Sequence, residues 1–298
     1  MATQEKRILS AAIGFRAWRE GLAREQASAS EIELKFVEIE PIHRAFAPMA
    51  RELRFDVSEM AVVTALQALA YGKKLMLLPV TIAARFQHGC LIRRASDAFG
   101  PADLAGKKIG VRAYTQTTGV WVRGILENDY GVAASDIRWV TQEGAHLAEY
   151  QNPPWVTQAE DARSLVDMLR SGEIDAAILG NDLPNDPDFV PVIADPRQAA
   201  LDWYAKRHVI PTNHVLVVRE DVAAANPEAI RALWRCLLRA KPAPRDGFDF
   251  AAIGIAANRP PLEMLLEFAA RQRLLPRALG FDEIYAPAKA LLGNDLAA

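Results

Sequence analysis

Apolar positions along the chain switch between two periods, and the switching outlines the elements. Short alternating or continuous apolar runs predict strands at residues 7–13, 31–39, 55–60, 74–80, 89–93, 108–112, 137–141, 174–179 and 214–219. In the second of these, Ile32, Leu34, Phe36 and Ile39 alternate with acids and Lys35. A period near 3.6 predicts helices at residues 16–27, 42–53, 61–71, 117–130, 160–170 and 195–207, with Gly72, Gly131 and Gly172 as stops. Asn226 and Pro227 form an N-cap and first-turn pair, followed by Ile230, Leu233, Trp234, Leu237 and Leu238 on one helical face. The tail from Pro260 reads as helical and is expected to pack on the first lobe. Residues 142–158 read as loop, and residues 181–191 as acidic turn material.

Strands alternating with helices imply mainly parallel sheets with helices on both faces. The grammar runs twice, so the expected class is α/β with two lobes. Residues 1–95 and 213–298 would form the first, discontinuous lobe, and residues 96–212 the inserted second lobe. A ligand is expected in a cleft where strand ends and helix N-termini converge.

Composition narrows the function classes. The chain has 298 residues, 51% hydrophobic and 24% charged, with a net charge of −2. That balance offers nothing to nucleic acid or to an anionic membrane surface. Two cysteines, Cys90 and Cys236, stand far apart and form no CxxC pair, which fits buried thiols better than a disulfide framework or a zinc site. No apolar stretch is long enough to span a bilayer, and the N-terminus has no useful h-region because Arg16 interrupts the run that starts at Ile8. A cytoplasmic location is expected, with a periplasmic one only if a leader preceded this sequence. No P-loop, GxGxxG, GxSxG or HExxH motif is present. His146, Glu143 and Glu149 are metal-ligating types without a recognised spacing, so neither a metal nor a cofactor is expected.

The densest chemistry lies between Asp103 and Gly131. A short strand ends at Arg112, the cluster Tyr114, Thr115, Gln116, Thr117 and Thr118 follows, and an apolar helix begins. Hydroxyls at a helix start, with free N–H groups at the positive end of the dipole, suit a carboxylate. Capping by Thr117 or Thr118 alone is the plainer reading.

These segments resemble a known family. DLAGKKIGVR and VDMLRSGEIDAAIL look like the opening and the helix–strand pair of the second lobe in the type 2 periplasmic-binding-protein fold. Within that fold, FDVSEM, PVTIAARFQHG, GVRAYTQTTGVWVRGILENDYGV, MLRSGEIDAAI and IPTNHVLVVRE resemble, in order, segments of 4,5-dihydroxyphthalate decarboxylases. The resemblance implies decarboxylation of a hydroxylated aromatic acid in aromatic catabolism, without a redox cofactor. It also implies a small aromatic or organic acid as partner, and it is compatible with a homo-oligomer.

On this reading Glu59, beside Ser58 at a strand end, is expected as general base. His88, at the family's histidine position, is expected as proton donor or oxygen ligand. His214, at the start of the returning strand, is the third catalytic candidate. Arg16, Arg85 and Arg112 are candidate carboxylate clamps, and Asn181 and Asp182 are expected at the site's mouth. Trp121 and Trp155 are candidates for stacking on an aromatic ring.

The chain also departs from the family. Where the family carries a pattern close to S-R-x-F-R-H, this chain has Ala83-Ala84-Arg85-Phe86-Gln87-His88, and the G-P-R turn is replaced by Gly180-Asn181-Asp182. Fewer arginines imply a substrate less anionic than a phthalate dianion, or a rearranged grip. The alternative is a solute-binding protein of a transporter or sensor, closing on a small organic anion without chemistry.

Overall fold

In the computed structural model, which describes residues 6–160, 163–180 and 183–297, strands and helices follow one another as the periodicity implies. The order is β1 (Arg7–Ala12), α1 (Arg16–Glu25), β2 (Ile32–Phe36), α2 (Phe46–Glu52), β3 (Val57–Ala61), α3 (Val62–Ala70), β4 (Leu75–Ala84), β5 (Leu91–Arg94), β6 (Lys108–Val111), α4 (Thr117–Tyr130), β7 (Arg138–Thr141), β8 (Val156–Gln158), α5 (Leu165–Ser171), β9 (Ala176–Ile178), β10 (Phe189–Pro191), α6 (Pro196–Arg207), β11 (Thr212–Arg219), α7 (Glu220–Ala225), α8 (Pro227–Ala240), α9 (Ile255–Arg271) and α10 (Phe281–Leu292).

The chain divides into two units. The first comprises residues 1–85, 212–263 and 277–298, and the second residues 86–211 and 264–276. The boundary expected at residue 95 moves back because β5 hydrogen-bonds to β9 and β10. The helical tail does not belong wholly to the first unit, since residues 264–276 group with the second. There Phe268 packs edge-on against Trp121, and Gln272 hydrogen-bonds to Arg123.

The first unit holds a five-stranded sheet in the order β2-β1-β3-β11-β4. β1 runs parallel to β2 and β3, whereas β11 runs antiparallel to both its neighbours, β3 and β4. The core of this unit gathers Leu9, Trp18, Leu22, Ile32, Val57, Leu78, Leu216, Leu233, Trp234 and Leu237, all nearly inaccessible. The amphipathic face read from Ile230 to Leu237 is thus the buried face of α8. Asn226 precedes α8 but does not cap it; its amide turns back and donates to the Val222 carbonyl oxygen at 2.9 Å.

The second unit holds a six-stranded sheet in the order β10-β5-β9-β6-β7-β8. β9, β6, β7 and β8 are parallel, and β5 is antiparallel to β9 and β10. Two of its strands, β8 and β10, lie in stretches read as loop and turn. With three residues each, they are too short to show a period. Gly131 and Gly172 end α4 and α5 in the left-handed region, at φ 71° and 81°, where a Cβ is costly. No helix among the described residues is long and apolar enough to cross a membrane.

Candidate functional site

In the first unit, the C-terminal ends of β1, β3 and β4 and the start of β11 lie along one edge of the sheet, as the register of β11 with both neighbours requires. Loops at such strand ends carry ligands in parallel α/β sheets. Glu59, in the fully buried strand β3, is 1% exposed. Its Oε2 accepts hydrogen bonds from the backbone N–H groups of Gly14 at 2.9 Å and Phe15 at 3.0 Å, just beyond β1. Its Oε1 lies 2.6 Å from Nδ1 of His214, on β11.

The His214 side chain is 27% exposed, and its ring meets Phe46 edge-on at 5.1 Å between centroids. The ring is therefore held on two sides, by a carboxylate and by an aromatic edge. With Nδ1–H donating to the carboxylate, Nε2 is left as the nitrogen that accepts or delivers a proton. Phe15, whose N–H also binds Glu59, is 41% exposed at the same edge.

This geometry revises three expectations. Glu59, expected as a free general base, is engaged by three groups: the N–H groups of Gly14 and Phe15 and Nδ1 of His214. Ser58 is buried and donates to the Glu59 carbonyl oxygen at 2.8 Å, so it braces the strand instead of presenting a hydroxyl to a ligand. Arg16 points to solvent, its side chain 89% exposed, and pairs with Glu20 one turn along α1 at 2.7 Å. Arg85 follows β4 directly and is half-buried at the same edge as His214.

In the second unit, the parallel strands β6, β7 and β9 end along one edge, and the turn from β6 into α4 leaves from it. Thr115, Thr117 and Thr118 are buried. Gln116, not a threonine, occupies the cap position, and its side chain makes no capping bond. Its Oε1 is buried without a hydrogen-bond partner among the described residues.

Arg112, immediately after β6, accepts from the N–H groups of Gln142 and Glu143 through its carbonyl oxygen, at 3.1 and 2.8 Å. Its guanidinium stands 3.6 Å from the Glu143 carboxylate, and Nη1 has no hydrogen-bond partner among the described residues. Thr141, the last residue of β7, pairs with Val111 and so shares its face of the sheet; its buried Oγ1 also has no hydrogen-bond partner among the described residues. The sequence reading missed Thr141, since a lone threonine closing a strand carries no distinguishing pattern.

His88 precedes β5 in this unit and is 3% exposed. Burial lowers its pKa to about 4, with Asp129 nearby working against that and Arg207 with it. Its ring meets Trp203 at 5.9 Å, and Nδ1 has no hydrogen-bond partner among the described residues. At neutral pH it is an uncharged imidazole, suited to donating or accepting a hydrogen bond but not to supplying a proton as an imidazolium.

Trp121 is wholly buried against Trp203 and Phe268, so it is core rather than a stacking platform. The Trp155 indole N–H donates to the Tyr114 hydroxyl at 3.0 Å, and Arg273 covers its ring at 5.0 Å. Asn181 and Asp182 lie outside the described residues. Among those described, no group of three or more His, Cys, Asp or Glu is arranged to hold a metal ion.

No protein-family model matches the chain. Two curated relatives do, both named 4,5-dihydroxyphthalate decarboxylase. The one from Comamonas testosteroni is 31% identical over 211 residues, taking in 64% of this chain and 62% of the relative. The one from Pseudomonas putida is 33% identical over 168 residues, taking in 52% of this chain and 65% of the relative. The chain thus spans just under two thirds of the length of the curated relatives it matches.

Among solved structures, a periplasmic sulfonate-binding protein, SsuA, from Methylobacillus flagellatus superimposes with a TM-score of 0.57 at 13% identity, covering 98% of this chain and 97% of that one. The desulfurization enzyme DSZB superimposes with a TM-score of 0.56 at 15% identity, covering 98% and 99%. At such identities the likeness concerns the fold alone. The chain is a sequence relative of the 4,5-dihydroxyphthalate decarboxylases built on the type 2 periplasmic-binding-protein fold.

Proposed function

We propose that this protein decarboxylates a hydroxylated aromatic carboxylic acid, with His214 as the acid–base group and Glu59 as the residue that orients it. The observation that carries the reading is the 2.6 Å contact between the buried Glu59 carboxylate and Nδ1 of a partly exposed His214. A buried carboxylate that fixes an imidazole's tautomer and presents its other nitrogen is a recurrent acid–base device. The names of the two curated relatives support the reaction class.

The chemistry is redox-neutral. His214 takes the proton of a ring hydroxyl at Nε2, and electron density moves onto the ring carbon that bears the carboxylate. That carbon takes a proton from the imidazolium. The carbon–carboxylate bond then breaks, CO2 leaves, and its electron pair restores the aromatic ring. The product phenolate takes one proton from water, so the net reaction consumes one proton and releases one CO2.

Within the second unit by itself, the turn of Thr115 to Thr118, which follows Arg112 in the chain, is the element suited to a carboxylate. Exposed Phe15, beside the same Glu59 that holds His214, supplies an apolar surface for an aromatic ring. Missing family arginines favour a monocarboxylate over a phthalate dianion.

The test is CO2 release across hydroxylated benzoates and phthalates, with the product identified by mass. Turnover abolished by His214→Asn, with the acid still bound, supports the proposal. Saturable binding of an acid without any turnover overturns it and leaves a solute-binding protein.

A further inference from the structure

α4 reads as an apolar helix, yet the fold buries a full charge inside it. Arg123 is 1% exposed, and no carboxylate among the described residues pairs with it. Its hydrogen bonds go to neutral groups. Nε donates to the Gln272 amide oxygen at 2.7 Å, and Nη2 to the Tyr114 carbonyl oxygen at 2.5 Å. The guanidinium also lies 4.0 Å from the centroid of the Tyr114 ring and 5.0 Å from that of Trp139. Nη1 is buried without a hydrogen-bond partner among the described residues.

The surroundings are built to hold this cation in place. Gln272 Nε2 donates onward to the Val120 carbonyl oxygen at 3.0 Å, in the first turn of α4, and Trp155 fixes the Tyr114 hydroxyl. Gly119 makes room for the guanidinium, since a Cβ there would stand 3.0 Å from Nη1 and 3.2 Å from a Val111 methyl. Helical side chains lean toward the N-terminus, which carries Arg123 back to the turn that precedes its own helix.

A buried cation without a counter-ion is destabilising, because desolvation is not repaid by an opposite charge. Aromatic faces and neutral acceptors offset only part of that. An anion bound at the adjacent turn would supply the missing charge.

We propose that Arg123 is the positioning residue of the anion-binding turn: through the Tyr114 carbonyl it fixes the backbone that leads into Thr115–Thr118, and its uncompensated charge makes that turn selective for a carboxylate over a neutral ligand. The inference rests on the reading of this turn as the carboxylate site. Arg123 does not touch the substrate; it acts through the backbone and through its field.

The test is calorimetric binding of 4,5-dihydroxyphthalate and 3,4-dihydroxybenzoate, with 3,4-dihydroxybenzamide as the neutral comparison, to wild type, Arg123→Met and Gln272→Glu. Arg123→Met removes the charge. Gln272→Glu retains Arg123 but sets a carboxylate against Nε, so it serves even if Arg123→Met does not fold. Both variants should bind the acids at least about tenfold more weakly and the amide with unchanged affinity. In turnover, KM for the acid should rise more than kcat falls. A merely structural role would change acid and amide alike.

If wild type binds the acids and the folded variants match it within about twofold, the role of Arg123 is overturned while the proposed function stands. If wild type binds neither acid and releases no CO2, both are overturned.

Discussion

Replacing His88 with phenylalanine tests how completely the fold withdraws this imidazole from water. His88 is 3% exposed, and burial lowers its pKa from 6.5 to about 4. Unfolded, it titrates near its ordinary value of about 6.5. Between those values the unfolded chain binds a proton that the folded chain refuses. The folded state is therefore penalised progressively as pH falls from 6.5 toward 4, and its stability from this group is fully present only above 6.5. At about 1.36 kcal/mol per pH unit, the penalty grows by about 2.5 kcal/mol between pH 7.5 and pH 4.5.

Phenylalanine does not titrate and keeps a ring edge against Trp203. Urea unfolding, followed by tryptophan fluorescence at both pH values, gives the stability of each protein. Whatever the offset at pH 7.5, the variant should gain about 2.5 kcal/mol on wild type at pH 4.5. Parallel losses, equal within about 0.5 kcal/mol, would refute the reasoning, as would a variant that loses more than wild type.

Four further substitutions have outcomes set by contacts within the two units. His214→Asn should lower kcat by about 10²–10⁴ with KM changed less than about threefold, and Glu59→Gln should also act on kcat, because an amide N–H facing Nδ1 selects the other tautomer; a loss confined to KM in CO2-release assays would contradict this. Gly124→Ala sets a Cβ 2.1 Å from a Phe268 ring carbon, so overpacking should destabilise the second unit by about 1–3 kcal/mol, and an unchanged thermal midpoint would count against the packing. Asn258→Ala removes the acceptor for Thr81 at 2.8 Å and the donor to the Pro79 and Gly254 carbonyls at 3.1 and 2.8 Å; about 1–3 kcal/mol should be lost in urea unfolding, and a neutral result would mean that water replaces the amide.

What was legible in the sequence is local. Ile230 to Leu237 in α8 announce a buried face because helical spacing repeats within a dozen residues, whereas in α1 Trp18 packs into the core without having been marked by the pattern. The stop at Gly131 is legible for the same reason. β8 and β10 were not, being three residues long. Glu59 and His214 were both legible as candidates, but their pairing was not, since it joins positions 155 residues apart. The two N–H groups that occupy Glu59 come from 45 and 44 residues upstream, which is why a carboxylate read as free proves to be held. Arg123 was invisible as a buried charge because the acceptor facing its Nε, Gln272, lies 149 residues downstream.

β11 sits between β3 and β4 in the first sheet, yet the chain reaches it only after residues 86–211 of the second unit. On the ribosome, β3 and β4 therefore emerge with a strand-wide gap between them that nothing yet synthesised can fill. The strands of the second sheet, β5 to β10, all emerge within that interval and can pair with one another. Vectorial synthesis thus inverts the order of the chain: every strand of the inserted sheet is available before the sheet that began at Arg7 receives Thr212–Arg219. His214 arrives on that closing strand, so the contact between Glu59 and His214 exists only once that strand has joined the first sheet.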